Sequence, residues 1–365
     1  MKYLVILLLV VFPFGQLVRL PLFGTEAVLH LNDLAVILTL LVARPKFSGP
    51  VAKALGLFLA AAVISLLHNF TNFTTRELII SALYPLRFAA YAGLYFVFKK
   101  VDPALTRRWL VLATVIVAIA GLLQYLFIPN VSFLSALNWD DHYYRLVGPF
   151  LDPGFTGIII LLGLILAFLN FKNFITLLTF YLAFALTYSR ASYLAYLVSF
   201  VALAWYKKSV KTAIIAALIM GATILVLPKS TGEGTKLERE NSIIARLRNY
   251  QESLTIWQKA PIFGVGFDTY RYVRGIGPES HAGAGADSSL LLVLATTGVV
   301  GFTAYLNLLR VMWQTGKASL VFKASFLAIL VHSFFNNTLF YPWVMEWLWI
   351  TLGILSERSE SKDLV

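Results

Sequence analysis

Long apolar segments follow one another through most of this sequence and limit what it can fold into. A helix needs about 17–25 mostly apolar residues to cross a bilayer, and about twelve segments approach or reach that length. Hydrophobic residues make up 59% of the 365 residues and charged residues only 13%, a balance that a soluble protein could not bury. We therefore predict an all-α polytopic membrane protein, built as a single integral membrane domain, 1–365. The predicted spans are 3–18, 25–43, 50–68, 78–98, 108–128, 154–171, 174–188, 191–206, 211–228, 287–312, 318–335 and 341–356.

The distribution of positive charge predicts which side of the membrane each connection faces. Lysines and arginines collect in the short cytoplasmic loops of membrane proteins. With twelve spans and the amino terminus inside, 17 of the 30 lysines and arginines lie on the cytoplasmic side. This arrangement places both termini in the cytoplasm. The 17 residues are Lys2, Arg44, Lys46, Lys53, Lys99, Lys100, Arg107, Arg108, Lys172, Lys207, Lys208, Lys211, Arg310, Lys317, Lys323, Arg358 and Lys362.

A polar break at 187–190 decides the orientation of everything that follows it. If 174–206 were one helix, the chain would have eleven spans and the later loops would change sides. The charge distribution favours two helices, with Arg190 at the outer face of the membrane. The same topology places the loops 129–153 and 229–286 outside the cytoplasm.

The external loop 229–286 is much longer than a connection between two helices requires. It contains an amphipathic stretch whose apolar residues recur every three or four positions, as on one face of a helix. Pro261 and Gly264 end that stretch. Arginines in an external loop run against the positive-inside rule and call for a functional reason. The apolar residues are Ile243, Leu247, Tyr250, Leu254 and Trp257, and the arginines are Arg239, Arg246, Arg248, Arg271 and Arg274.

Composition argues against several classes of protein and site. The net charge of +12 is explained by the positive loops, and no RNA-reading motif is present, so we predict no nucleic-acid partner. The chain has no cysteine, which excludes thiol catalysis and cysteine-held metals. The residues of 140–142, Asp-Asp-His, suit a metal, but contiguous ligands converge poorly on one ion. We predict neither a metal nor a cofactor.

Four short strings on the predicted outer side carry most of the polar chemistry. The first precedes a span, the second forms the turn at the polar break, the third lies in the long loop, and the fourth opens the next span. They are Arg145 to Gly154 (RLVGPFLDPG), Leu186 to Ser192 (LTYSRAS), Arg246 to Gly266, which ends in Gly-Val-Gly, and Asp287 to Gly301.

In this order and placement, the four strings resemble the O-antigen ligase and polymerase family, bacterial enzymes that move glycans off undecaprenyl diphosphate. The resemblance covers about residues 145–301, and residues 1–128 are similar only as generic spans. It implies a metal-independent glycosyltransferase of the bacterial cytoplasmic membrane with its site at the outer face. The donor would be a polyprenyl-diphosphate-linked glycan, the acceptor a hydroxyl of a lipid or saccharide, and membrane lipids would surround the protein.

The resemblance also implies that arginines bind the donor diphosphate. By motif position this role falls to Arg190 and Arg246, and to Arg145 on a weaker match. Guanidinium groups bind phosphate oxygens in pairs and stabilise charge on a leaving diphosphate. Arg87 is a further candidate because an arginine within a span is costly. The alternatives are an interfacial anchor for Arg190 and a solvated position for Arg246.

A base on the helix after the loop would deprotonate the acceptor. Eleven positions before Gly298, where the ligases carry His-Asn, this chain has Asp287 followed by Ser288. We predict Asp287 as the base, held ionised by the start of its helix and by the external arginines. His281, six residues upstream, is the second candidate.

Other functions stay open at this point. Within the family, the chain could ligate a glycan to a lipid or protein, or polymerise repeat units. Outside it, the chain could be a transporter or flippase of a lipid-linked or anionic substrate. A transporter commonly shows two related halves and broken helices at matching positions, and this sequence shows no internal repeat.

Overall fold

The computed structural model describes residues 2–24, 26–137, 139–228, 235, 240–277 and 285–360. The predicted all-α class is confirmed for this described part, which is built almost entirely of helices. They are α1 (Lys2–Val11), α2 (Leu31–Ala43), α3 (Gly49–His68), α4 (Thr75–Phe98), α5 (Pro103–Phe127), α6 (Pro153–Asn170), α7 (Phe174–Ala185), α8 (Arg190–Tyr206), α9 (Val210–Val226), α10 (Glu240–Lys259), α11 (Tyr270–Val273), α12 (Ser289–Gly316), α13 (Leu320–His332) and α14 (Pro342–Glu360).

Each predicted apolar segment contains one helix, and two further helices, α10 and α11, belong to the long loop. The predicted break is confirmed, because α7 ends at Ala185 and α8 begins at Arg190. Among the described residues, α3, α4, α5, α6 and α12 are long and apolar enough to cross a membrane, and six other apolar helices are shorter. The number of helices that cross the bilayer stays a prediction.

The predicted span 25–43 is wrong in its first part. Strand β1 (Arg19–Pro21) pairs antiparallel with β2 (Val28–His30), and α2 begins only at Leu31. The backbone N–H of His30 donates to Asp33 Oδ2 at 2.8 Å in a capping box that fixes this helix start. Ala27, Val28 and Leu29 extend the apolar run of α2 into the hairpin, but the cap decides where the helix begins.

Two compact units divide the chain, and each is discontinuous in sequence. Unit 1 comprises Met1–Val18, Val101–Glu240 and Ser319–His332. Unit 2 comprises Arg19–Lys100, Asn241–Ala318 and Ser333–Val365.

In unit 1, α8 packs against α13 and α9, and α6 packs against α5 and α7. Helix α6 is apolar on all sides, and its residues 156–167 are buried. This is typical of a helix at the centre of a bundle.

In unit 2, α3 packs along α12 and α4 packs along α14. A cluster of aromatic rings fills the space between these helices. The ring centroids of Phe58 and Tyr305 lie 4.7 Å apart, and those of Tyr305 and Phe340 lie 5.5 Å apart. Such contacts stabilise a core by about 0.5–1.5 kcal/mol per pair beyond the burial of surface.

Two glycines join the third and fourth strings within unit 2. Gly298 interrupts α12 with a φ of 62°, and Gly264 has a φ of 70°. A side chain on Gly264 would meet the backbone of Thr296 at 2.3 Å, so only glycine allows this approach. Backbone hydrogen bonds complete the contact, from Val265 N to Ala295 O and from Gly266 N to Thr296 O.

The predicted amphipathic helix is confirmed as α10, but it buries a different face from its apolar one. Ile243, Leu247 and Leu254 are each at least 40% exposed. The buried positions are Asn249, Ser253 and Ile256. A helix that exposes an apolar stripe beside basic residues is typical of a membrane interface.

We expect alkaline phosphatase to be active when fused near Thr231 and inactive when fused near Ser209, because alkaline phosphatase works only outside the cytoplasm. The two positions flank α9, so the predicted span 211–228 separates them. Enzyme activity in cells, corrected for the amount of each fusion, gives the orientation of the long loop. Activity at Ser209 with none at Thr231 would overturn the twelve-span topology.

Candidate active site

Asp287, the predicted base, lies directly before α12 and is tied to α10. Its backbone N–H donates to Asn249 Oδ1 at 2.9 Å, and Asn249 Nδ2 donates to the carbonyl of Gly285 at 3.4 Å. Ser288 caps α12 by accepting the N–H of Leu291. The side-chain amide of Asn249 therefore fixes the backbone on both sides of Ala286. These hydrogen bonds do not involve the Asp287 carboxylate, which stays available to a substrate.

The electrostatic surroundings of Asp287 differ from those predicted. The helix start and the external arginines predicted a carboxylate that is held ionised. In the structure, burial raises the pKa of Asp287 above its usual range, and the charges of Arg246 and Arg274 lower it only in part. Burial outweighs the arginines because it removes water from the charged form of the carboxyl group. A raised pKa makes a carboxylate a stronger base.

Arg246, a predicted diphosphate ligand, lies on α10 on the same side as Asn249. Its guanidinium carbon stands 5.9 Å from the centre of the Phe335 ring. One helical turn later, the hydroxyl of Tyr250 donates to the carbonyl of Phe334. Both contacts hold α10 against residues 334–335, and the side chain of Arg246 stays partly exposed.

Arg274 is a residue that the sequence analysis did not assign to the site. It pairs with Glu252 of α10, with Nη2 and Oε2 2.7 Å apart, and its guanidinium lies 5.6 Å from the Tyr270 ring centre. Its side chain is 17% exposed. Arg271 and Arg274 are three positions apart, and this spacing indicates one helix face. It could have identified Arg274 as a candidate for the site. The same spacing joins Arg246 to Asn249, which was also missed.

Arg87 faces inward from α4 and has a carboxylate partner. Its Nη2 lies 2.9 Å from Asp33 Oδ2 and also donates to the carbonyl of Val28. Both residues line a largely apolar cavity of 300 Å³ in unit 2. That Arg87 contacts the donor stays a prediction. The positive charge of Arg87 is already balanced by Asp33.

In unit 1, the first and second strings come together around the turn before α8. Arg145 Nε donates to the carbonyl of Thr187 at 3.0 Å, and its Nη2 donates to that of Tyr188 at 3.3 Å. Arg145 is 7% exposed. It therefore supports the backbone that leads into Arg190, and a role in diphosphate binding stays a prediction.

Arg190 is the first residue of α8 and is partly buried. Ser189 caps the helix by accepting the N–H of Ser192. The hydroxyl of Ser192 lies 3.3 Å from His332 Nε2 and so joins α8 to α13. These contacts fix the turn that presents Arg190.

His281 lies outside the described residues. The described residues contain no group of three or more His, Asp or Glu side chains placed to hold a metal ion.

A family model described as O-antigen ligase matches residues 174–306. No curated protein matches the sequence. The matched region runs from α7 into α12 and includes Arg190, Arg246 and Asp287, whereas Arg145 and Arg87 lie before it. The chain therefore carries an O-antigen ligase domain over residues 174–306, which confirms the resemblance for the second, third and fourth strings, whereas the first string, Arg145 to Gly154, lies before the matched region.

Proposed function

We propose that this protein is a glycosyltransferase of the bacterial cytoplasmic membrane, with both termini in the cytoplasm. It transfers a saccharide from a polyprenyl diphosphate, such as undecaprenyl diphosphate, to the hydroxyl of a lipid or saccharide acceptor, without a resident metal. The proposal rests on the partly buried carboxyl group of Asp287, whose pKa the charges of Arg246 and Arg274 lower in part. All three residues lie within the region that matches the ligase family model.

In the proposed reaction, Asp287 takes the proton of the acceptor hydroxyl. The hydroxyl oxygen bonds to the anomeric carbon of the donor sugar, and the bond from that carbon to the diphosphate oxygen breaks. The electron pair leaves with polyprenyl diphosphate. Arg246 stabilises the negative charge that grows on this leaving group, as guanidinium groups do for transferring phosphates.

Arg190 is proposed as a second diphosphate ligand, on the basis of the resemblance. It opens α8 in unit 1, where Arg145 supports the preceding turn. His281 is proposed as an auxiliary base.

Deleting the gene in its host tests the function and separates three possibilities. We expect lipid-linked saccharide to accumulate on the outer side of the membrane. Loss of a polymerase leaves single repeat units on the acceptor, whereas loss of a ligase leaves the acceptor bare. Lipid-linked saccharide trapped on the cytoplasmic side would indicate a flippase and would overturn the proposal.

A further inference from the structure

Unit 2 contains a second cavity, which is polar and which the proposed reaction does not use. Its volume is 160 Å³, and it combines phenol, carboxyl, guanidinium and amide groups from three parts of the chain. The residues that matter here are Glu26, Tyr84, Asp268, Arg271, Tyr272 and Asn337.

Asn337 provides an unused hydrogen-bond acceptor in this cavity. Its Oδ1 atom is buried and has no donor among the described residues. Buried polar atoms are nearly always hydrogen-bonded, so a missing donor indicates a ligand or water at this place. A sugar hydroxyl would supply such a donor and would accept from a neighbouring group.

Asp268 places a second carboxyl group at the cavity through an unusual backbone conformation. Its φ of 64° lies in the left-handed region, where residues other than glycine are uncommon and often belong to functional sites. Burial raises the pKa of Asp268 well above its usual range, and the charges of Arg271 and Arg87 lower it in part. A carboxyl group at this position can accept a hydrogen bond from a ligand hydroxyl.

The charges around the cavity are balanced. Glu26 pairs with Arg76, with Oε2 and Nη2 2.5 Å apart, and Arg271 offsets the charge of Asp268. Each of these arginines already has a carboxyl group beside it, so the cavity offers no surplus positive charge to a diphosphate. A neutral ligand with several hydroxyl groups needs no such surplus.

The shape of the cavity also suits one sugar ring. Tyr84 and Tyr272 bring aromatic rings to its wall, and an aromatic ring offers an apolar face together with a polar edge. A protein cavity of about 150 Å³ can hold a six-membered ring such as benzene.

We infer that this cavity binds one saccharide ring of the acceptor. Gly285 lines the cavity and lies two residues before Asp287, the base that must receive the acceptor proton. This nearness favours the acceptor over the donor sugar as the source of the ring. The inference rests on the proposed function for the identity of its ligand.

Single cysteines test the site directly, because the chain has none of its own. In the full-length protein, Ile80→Cys and Leu292→Cys place thiols in the cavity wall, where both native residues are buried. We expect methyl glycosides of hexoses and N-acetylhexosamines to slow labelling by a small methanethiosulfonate. Inorganic pyrophosphate should not slow it. Leu247→Cys, on the exposed face of α10, is the control that no sugar protects.

Asp268→Asn in the same background should raise the sugar concentration for half-protection about tenfold, the loss of one hydrogen bond to a charged or polarised group. The exposed carboxylate variant Asp141→Asn should leave it unchanged. In transfer assays, Asp268→Asn should raise KM for the acceptor about tenfold and leave KM for the donor unchanged. A raised donor KM in its place would overturn the assignment to the acceptor.

The outcomes also separate this inference from the proposed function. Glycan transfer by a protein whose two cavity thiols no sugar protects would overturn the inference alone. Protection by sugars in a protein that transfers no glycan would support a saccharide site and refute the proposed function. Protection by pyrophosphate alone would mark the cavity as an anion site and overturn the inference.

Discussion

Replacing Asp287 with Asn abolishes glycan transfer while the protein stays folded. The amide has the shape of the carboxylate but cannot accept the acceptor proton. The hydrogen bond from the Asp287 backbone to Asn249 does not use the side chain, so the helix start should persist. Initial rates with a lipid-linked donor measure the effect, and thermal melting of the purified variant checks the fold.

The same carboxyl group should control the dependence of transfer on pH. Burial raises the pKa of Asp287 above the ordinary 3.8, and only the ionised form acts as a base. Transfer should therefore rise as pH increases through this pKa and level off above it. Arg274→Ala removes a charge that lowers this pKa, so the rise should move to higher pH. An unchanged pH profile in Arg274→Ala would show that the charge of Arg274 does not act on the base.

His281→Ala provides the comparison for the assignment of the base, and we expect it only to weaken transfer. A base acts when it lies within hydrogen-bond reach of the hydroxyl, and His281 belongs to a stretch rich in glycine and alanine that would fix its position poorly. If His281→Ala were inactive while Asp287→Asn still transferred glycan, the two roles would be reversed.

Replacing Arg246 or Arg190 with Lys should lower the transfer rate by about 10²–10³-fold, the loss typical of one anion-stabilising donor. Lysine keeps the charge but loses the paired donors that match phosphate oxygens. Because the charge stays, Arg246→Lys should reduce the rate without moving its dependence on pH. The exposed Arg248, two positions from Arg246 on α10, gives the matched control, and Arg248→Lys should be close to wild type. Near wild-type rates in both Lys variants would remove these arginines from the site.

The helices could be predicted from the sequence because apolar length is a direct physical requirement of a membrane. The turn at 187–190 was predictable for the same reason, since Ser189 and Arg190 interrupt an apolar run. The hairpin of β1 and β2 was missed because Ala27, Val28 and Leu29 resemble the start of the apolar run that continues in α2. The capping contact between His30 and Asp33 sets the true start of the helix.

The site was only partly predictable, because its residues act through contacts between distant segments. The apolar residues Leu247 and Leu254 of α10 are exposed, whereas the structure buries the polar residues Asn249 and Ser253. Spacing along one helix predicts neither the buried face of α10 nor the hydrogen bonds between Asn249 and the backbone beside Asp287. The raised pKa of Asp287 was not predictable, because the sequence shows nearby charges but not the loss of water.

The central claim, that Asp287 drives transfer of a saccharide off a lipid diphosphate, is tested most directly with a doubly labelled donor. Purified protein is placed in liposomes with a polyprenyl-diphosphate saccharide that carries one label on the sugar and another on the lipid. With acceptor and EDTA present, the wild-type protein should separate the two labels and release polyprenyl diphosphate, and Asp287→Asn should keep them joined. Movement of the intact donor across the bilayer, equal in both proteins and without separation of the labels, would contradict the account.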